Sequence, residues 1–139
     1  MGDGAAIEFI EILYRLNRTI TDDVRTHVAA VADLDVSEFM MLRAAARGAV
    51  SPSDLAQRLT THPTATSRTI TTLVKAGLLR RASDQDDARR LAIELTDEGR
   101  HVTDLISQRI RPEVQRRLDR VGAERVKAMV ETLDALLQD

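Results

Sequence analysis

A chain of 139 residues with 43% hydrophobic content fits one packed domain with extensions. The absence of cysteine excludes disulfides, thiolate metal sites and thiol catalysis, and an aromatic content of 2% argues against stacking of single-stranded nucleic acid. Twenty basic and 22 acidic residues leave a net charge of −2, which excludes a uniformly basic surface but permits a local basic face.

The first predicted element is a long amphipathic helix, because apolar residues recur at steps of three and four over residues 7–31. At 1.5 Å per residue, this helix would measure about 37 Å. A helix of that length exceeds what a small core can cover. We therefore expect residues 1–35 to form an N-terminal dimerisation helix.

The next two helices carry clear start signals. Asp35 followed by Glu38 has the spacing of a capping box, and Gly48 ends the apolar segment that follows. Ser51 suits an N-cap and Pro52 suits the first position of a further helix. Both helices are therefore expected to begin where these residues stand.

A Thr-rich turn at 60–62 leads to Pro63 and a further helix, which Gly77 ends. Two short helices joined by such a turn form a helix-turn-helix pattern. The hydrophobic period then changes to two, which predicts strands at 79–82 and 91–95 around a charged hairpin tip. Residues 36–96 are thus expected to form a winged helix-turn-helix domain.

The remaining chain is predicted to be helical. Thr96 suits the cap of a helix that Pro112 should kink or interrupt, and Gly122 precedes a terminal amphipathic helix. The apolar stripes of these helices again exceed what the winged helix-turn-helix domain can bury. Residues 97–139 are therefore expected to be C-terminal dimerisation helices, and the predicted fold class is mainly α (α+β).

A basic segment coincides with the helix-turn-helix. Residues 55–83 contain no acidic residue, and a phosphate backbone attracts such a local positive field. Its cations are Arg58, Arg68, Lys75, Arg80 and Arg81.

The helix after Pro63 has two faces by helical spacing. Ile70, Leu73 and Val74 form the apolar face, whereas Thr64, Arg68, Thr71 and Lys75 form the opposite one with Ser67 beside them. Arg reads guanine edges, Thr contacts thymine methyls, and hydroxyls bind phosphates. The alternative is a solvated helix face, but the preceding turn and the following hairpin favour insertion into a DNA groove.

The hairpin tip combines Asp84, Asp86 and Asp87 with Arg89 and Arg90. An arginine on a projecting loop can enter a narrow A·T-rich minor groove. The alternative is a charged hairpin that discourages edge-to-edge pairing of strands.

Taken together, residues 51–99 resemble the winged helix of the MarR family of bacterial transcriptional regulators. The motifs that carry the resemblance are SDLA at 53–56, TSR at 66–68, AGLLRR at 76–81, DQDDAR at 84–89 and LTDEG at 95–99. The resemblance implies a homodimer on double-stranded DNA, a recognition helix at 63–76 and a wing at 83–90. It also implies that Asp87 positions Arg89, while Asp86 replaces a second arginine that many members carry.

These observations predict a cytoplasmic DNA-binding regulator, most simply a repressor of a palindromic operator. The residues expected to contact DNA are Ser53, Pro63, Thr64, Ala65, Ser67, Arg68, Thr71, Lys75, Arg80, Asp87, Arg89 and Arg90. The resemblance also implies a small, often aromatic, effector. Phe9, Tyr14, Phe39 and Met40 are candidates for its pocket, although core packing also explains large apolar residues.

Other function classes have less support. The histidines are isolated and lack metal-ligand spacing, and no nucleophile motif is present, so neither an enzyme nor a cofactor is predicted. The apolar runs fall far short of the ~20 residues that span a membrane. A winged helix used only for protein contacts remains an alternative, against which the acid-free basic segment argues.

Overall fold

The computed structural model describes residues 2–48, 50–83 and 91–138, which contain six helices and one antiparallel pair of strands. This mainly helical architecture with a small sheet confirms the predicted fold class. In chain order the elements are α1 (Asp3–Ala29), α2 (Val36–Ala45), α3 (Pro52–Leu59), α4 (Pro63–Lys75), β1 (Leu79–Ser83), β2 (Leu91–Leu95), α5 (Asp97–Asp119) and α6 (Ala123–Ala135).

The predicted start signals are used as helix caps. Asp35 accepts a hydrogen bond from the Glu38 N–H at 2.7 Å, and the Glu38 carboxylate accepts one from the Asp35 N–H at 2.9 Å. The Ser51 hydroxyl likewise accepts from the backbone of Asp54 at 3.0 Å, and Thr96 caps α5. Local sequence therefore determines where these three helices begin.

The end of α4 directs the chain into β1. Gly77 has a φ of +77°, the left-handed conformation that glycine adopts without strain. The N–H of Gly77 donates to the carbonyl of Val74 and that of Leu78 to the carbonyl of Leu73, both at 3.0 Å. These two bonds form a Schellman motif, so the helix ends at the glycine that the sequence predicts.

Strand β1 pairs with β2 from Leu79 opposite Leu95 to Ser83 opposite Leu91. β1 is one residue longer than predicted, and β2 has the predicted bounds. Val50 adds a bridge to Ile93 on the free side of β2, with N···O distances of 3.0 and 2.7 Å. A single bridging residue has no periodicity, so the sequence pattern did not indicate it.

The core lies where α2, α3, α4 and the sheet meet the second half of α1 and the first half of α5. Gly99, in the first turn of α5, touches this packing so closely that an added Cβ would lie 2.0 Å from the Leu78 carbonyl oxygen. Only glycine therefore fits at this crossing. The fully buried side chains include Val28, Leu42, Leu55, Leu73, Leu79, Ile93 and Ile106.

The interruption expected at Pro112 does not occur, because α5 continues to Asp119. Pro112 is exposed, and contacts beyond it tie the helix to α1. Glu113 is hydrogen-bonded to His27, and Arg117 donates to Asp23 at 3.0 Å. These contacts hold the second half of α5 in place despite the backbone hydrogen bond that proline lacks.

The outer helices leave apolar side chains uncovered. In the first half of α1 the exposed fraction ranges from 43% for Phe9 to 62% for Tyr14. None of the residues in α6 is buried. No helix in the ranges described is both long and apolar enough to cross a membrane.

Candidate nucleic-acid interface

Helix α4 presents the two faces that its sequence spacing predicts. Thr66, Ile70 and Leu73 are buried against the core. Arg68 and Lys75 are exposed on the other side, together with Pro63, Thr64, Ala65 and Ser67. Thr71 lies at the border and is half-buried. The structure thus brings most of the predicted DNA-contacting residues onto one exposed helix face.

Several threonine hydroxyls of α4 are used by the helix itself. Thr69, Thr71 and Thr72 each donate to the carbonyl four residues earlier at 3.1 Å. Their hydroxyl protons are therefore occupied, and their methyl groups remain as outward contact surface. No hydrogen bond to another described residue engages the hydroxyl of Thr64 or Ser67, so these two are the hydroxyl donors that the helix presents.

The turn before α4 is fixed by side chains. His62 is the N-cap, and its Nδ1 accepts from the Thr64 N–H at 3.1 Å. Thr60 adopts a left-handed conformation with φ of 54°, and the hydroxyls of Thr61 and Thr66 are 2.8 Å apart. The N-terminus of α4 therefore projects from a defined turn.

Helix α3 supports this surface. Ser53 is exposed in its first turn, close in sequence to the Ser51 cap. Arg58, in its last turn, donates to the carbonyl of Ala44 at 3.3 Å and so ties α3 to α2. Arg58 thus adds charge to the basic segment and also serves the packing of the helices.

The two neighbouring arginines of β1 point to opposite faces of the hairpin, since side chains alternate along a strand. Arg80 pairs with Glu94 directly across the sheet, with a 2.5 Å contact between Nε and Oε1. Arg81 extends toward α4 and donates from Nη2 to the Thr71 hydroxyl at 3.1 Å. The structure therefore places Arg81 beside the exposed face of α4. Arg80, which the sequence predicts as a DNA contact, is instead paired with Glu94 on the opposite face of the hairpin.

The predicted contact residues of the wing, Asp87, Arg89 and Arg90, lie outside the described residues, as do Asp84 and Asp86. Their roles remain predictions from the sequence. The strands that would carry them are in place, with Ser83 opposite Leu91 at the outer end of the ladder.

A groove of about 360 Å³ separates α2 from α5. Of the four candidate pocket residues, Phe39 and Met40 line it, whereas Phe9 and Tyr14 lie on the exposed first half of α1 and do not. The groove combines apolar walls with two guanidinium groups and polar side chains. Its lining residues are Phe39, Met40, Arg43, Ser107, Ile110, Arg111, Val114, Gln115 and Leu118.

One wall of this groove carries an unsatisfied polar atom. Ser107 Oγ is buried and has no hydrogen-bond partner among the described residues. A buried hydroxyl without a hydrogen-bond partner raises the free energy of the folded state. This cost is removed when a polar group or a water molecule binds beside it. Arg43 and Arg111 are both exposed, so the groove offers cations as well as an apolar floor.

In the ranges that the structure describes, no group of three or more potential metal-ligand side chains comes together. His62 acts as a helix cap and His27 pairs with Glu113. Both histidines thus have structural partners within the chain.

Fold and exposed helix face together define a winged helix-turn-helix protein. The model of the MarR family matches residues 32–90, which span α2 to the hairpin. This match confirms that the segment resembles the MarR family, as the sequence motifs indicate.

Solved structures share the fold over nearly the whole chain. The transcriptional regulator BldR from Sulfolobus solfataricus is 23% identical, with a TM-score of 0.82 over 99% of this chain and 98% of that chain. CouR from Rhodococcus jostii RHA1 bound to p-coumaroyl-CoA is 23% identical, with a TM-score of 0.85 over 91% and 89%. A mutant MarR from E. coli complexed with operator DNA is 20% identical, with a TM-score of 0.77 over 96% of both chains. No curated protein matches the sequence significantly.

Proposed function

We propose that this protein is a homodimeric regulator that binds double-stranded DNA at a palindromic operator and represses transcription. The observation that carries the proposal is the exposed face of α4, where Arg68 and Lys75 project from a segment without acidic residues. The operator complex of the E. coli relative, which shares the fold, supports this assignment. The protein acts by binding, and no catalytic role is proposed.

The contacts on α4 divide by chemistry. Arg68 reads a guanine edge in the major groove, because its planar guanidinium can donate two hydrogen bonds to one base. Thr64 and Ser67 bind phosphate or base acceptors through hydroxyls that no described residue occupies. Thr71 contributes its methyl group, since its hydroxyl is held by the helix, and Lys75 supplies charge to the phosphate backbone.

Two supporting regions complete the proposed DNA surface. Ser53 is exposed at the start of α3, and its hydroxyl is proposed to bind a phosphate. Pro63 and Ala65 are exposed at the start of α4, and their small side chains are proposed to allow close approach of the DNA. In the wing, Asp87 orients Arg89 toward the minor groove and Arg90 adds a phosphate contact, as the family resemblance implies. Arg80 is left out of this surface because Glu94 pairs with it.

Dimerisation is proposed through the outer helices. The exposed apolar residues of α1 and α6 form faces that a second copy of the chain would cover. Residues 1–35 and 97–139 would then hold two winged helices (36–96) in twofold symmetry. Such symmetry places the two recognition helices in major grooves about one helical turn apart, or about 10–10.5 base pairs.

The groove between α2 and α5 is the proposed effector site. A small aromatic acid suits it, because Phe39 and Met40 offer an apolar surface and Arg43 or Arg111 can bind a carboxylate. Ser107 Oγ would gain a partner when the ligand enters. The 4-hydroxyphenylacetate bound to NadR, a protein of the same fold, supports this ligand class.

DNA binding is tested with a randomised duplex library and the full chain. Arg68→Ala should weaken binding at the preferred site by about 1–3 kcal/mol and relax the preference at one position per half-site. Arg25→Ala, which removes an exposed arginine of α1, is the control and should leave binding unchanged. An equal loss for all sequences would make Arg68 a phosphate contact, and a wild-type chain that binds no duplex would favour the protein-contact alternative.

Effector binding is tested by calorimetry with p-coumarate as the probe. Arg43→Ala or Arg111→Ala should weaken binding, whereas Arg109→Ala, on the same helix as Arg111 but outside the groove, should not. Equal affinity in all three variants would remove the groove from the proposal and leave the DNA-binding assignment intact.

A further inference from the structure

We infer that Arg81 is an additional DNA-contacting residue, which binds a backbone phosphate at the seam between α4 and the hairpin while Thr71 holds its guanidinium. The inference rests on the proposed DNA-binding function and deepens it. It assigns the basic contribution of β1 to Arg81, whereas the sequence pattern favoured its neighbour Arg80.

The geometry begins with the alternation of side chains along β1. Leu79, Arg81 and Ser83 share one face of the hairpin, and their partners on β2 are Leu95, Ile93 and Leu91. The inner end of this face is buried in the core, since Leu79 and Ile93 are 1% and 0% exposed. The face therefore looks toward the helical layer that contains α4.

Toward the tip, the same face leaves the core and becomes exposed. Arg81 and Ser83 are exposed, and Leu91 is 43% exposed. Arg81 is thus the first side chain beyond the core edge, at the point where the strand passes the recognition helix. A DNA backbone that follows α4 into the major groove would cross this seam before it reached the wing.

Thr71 prepares Arg81 for such a contact. The Thr71 hydroxyl donates its proton to the Ser67 carbonyl at 3.1 Å, so its oxygen is left to accept from Arg81 Nη2, also at 3.1 Å. This chain of hydrogen bonds orients the guanidinium before DNA arrives, which lowers the ordering cost of binding. The guanidinium has five N–H donors, so most remain for the oxygens of a phosphate.

Arg80 provides the contrast within the same strand. It lies on the opposite face, and the Glu94 carboxylate partly neutralises its charge. Among the residues that the structure describes, no carboxylate lies within ion-pair distance of Arg81. Two adjacent arginines of equal charge are therefore expected to differ in their effect on DNA binding.

The test compares Arg81→Ala with Arg80→Ala in the full chain. Affinity for a random-sequence duplex is measured at several salt concentrations between about 50 and 200 mM. Arg81→Ala should lower affinity at least about tenfold and reduce the slope of log K against log salt by about 2, because the dimer loses one phosphate contact in each subunit. Arg80→Ala should change neither quantity, and circular dichroism should show both variants folded because both side chains are exposed.

A second pair of variants tests the orienting role of Thr71. Thr71→Val keeps the shape and removes the hydroxyl, so it should weaken DNA binding when Arg81 is present and have a much smaller effect in the Arg81→Ala background. Arg81→Lys should preserve the salt slope and recover only part of the affinity.

The outcomes separate the inference from the proposed function. The inference would be overturned if Arg81→Ala kept the salt slope of the wild-type chain, or if Arg80→Ala lost as much DNA affinity as Arg81→Ala. Either result would leave the proposed DNA-binding function intact. Additive effects of Thr71→Val and Arg81→Ala would overturn the role of Thr71. A wild-type chain without salt-dependent duplex binding would overturn the proposed function and the inference together.

Discussion

The four inner helices, α2 to α5, which together with β1 and β2 form the centre of the molecule, begin on side-chain caps. The first and last helices do not. The N-caps of α2, α3, α4 and α5 each accept a backbone N–H through a side chain, and these residues are Asp35, Ser51, His62 and Thr96. By contrast, α1 and α6 begin after Gly2 and Gly122 without a side-chain cap. The local sequence thus defines the limits of the central helices much more strongly than those of the outer ones.

Burial follows the same division. The centre encloses side chains such as Leu42, Leu73 and Ile93 completely, while α6 buries none and Leu137 is 71% exposed. The winged helix is therefore stabilised by its own caps and core. The outer helices have apolar faces whose stabilisation requires another surface.

The largest expected effect comes from removing the residues after Gly122, which deletes α6. Because α6 contributes no buried residue, the centre should remain folded. The full chain should sediment at about twice 15.4 kDa, and the truncated chain should be monomeric and lose tight DNA binding. Analytical ultracentrifugation measures the oligomeric state, and circular dichroism shows whether the truncated chain is folded.

Two results would contradict the division between centre and ends. One is a truncated chain that still sediments as a dimer. The other is a folded monomer that binds both halves of an operator with the affinity of the full chain.

The next effect concerns the centre alone. Gly99→Ala forces a Cβ against the Leu78 carbonyl and should lower the free energy of unfolding by about 1–3 kcal/mol. Gly4→Ala is the matched control, because nothing lies within 4 Å of a Cβ at this position of α1. Urea unfolding should show a loss for the first variant and little change or a slight gain for the second, and equal stabilities would mean that the crossing of α5 and Leu78 tolerates a side chain.

The smallest effect concerns the contact between the two regions. Asp23 pairs with Arg117 across α1 and α5, with side chains 22% and 38% exposed, whereas Asp22 pairs with Arg25 along α1 at 63% each. A double-mutant cycle should give a coupling of about 0.5–1 kcal/mol for Asp23 with Arg117. The cycle for Asp22 with Arg25 should give about 0.2–0.5 kcal/mol, and a larger value for this exposed pair would reverse our ranking of the two contacts.

Much of the central fold could be predicted because its signals are local. The spacing of Asp35 and Glu38, the pair Ser51-Pro52 and the glycine at 77 act within a few residues, and each is used as predicted. The division of α4 into two faces also follows from helical periodicity alone.

Features that depend on tertiary contacts could not be predicted from the sequence. Val50 joins the sheet through one bridge, and Pro112 is tolerated because contacts beyond it hold α5 to α1. Phe39 and Met40 are adjacent, yet one is 4% exposed and the other 45%, which only the packing of α2 determines.

The distinction between Arg80 and Arg81 was partly accessible from the sequence. Strand alternation alone indicates that the two side chains lie on opposite faces. The register of β1 against β2 and the position of α4 were needed to show that Arg80 meets Glu94 and that Arg81 meets Thr71.

The unbroken length of α1 has a mechanical consequence. Its second half is fixed to α5 through Asp23 and His27, and its first half extends from that fixed point without a proline. Ile7 lies about 24 Å along the helix axis from Asp23, at 1.5 Å per residue. A tilt of about 5° at the α5 contact would therefore displace the far end by about 2 Å, so α1 would act as a lever arm that converts a small rotation of the winged helix into a shift comparable to the van der Waals radius of a methyl group.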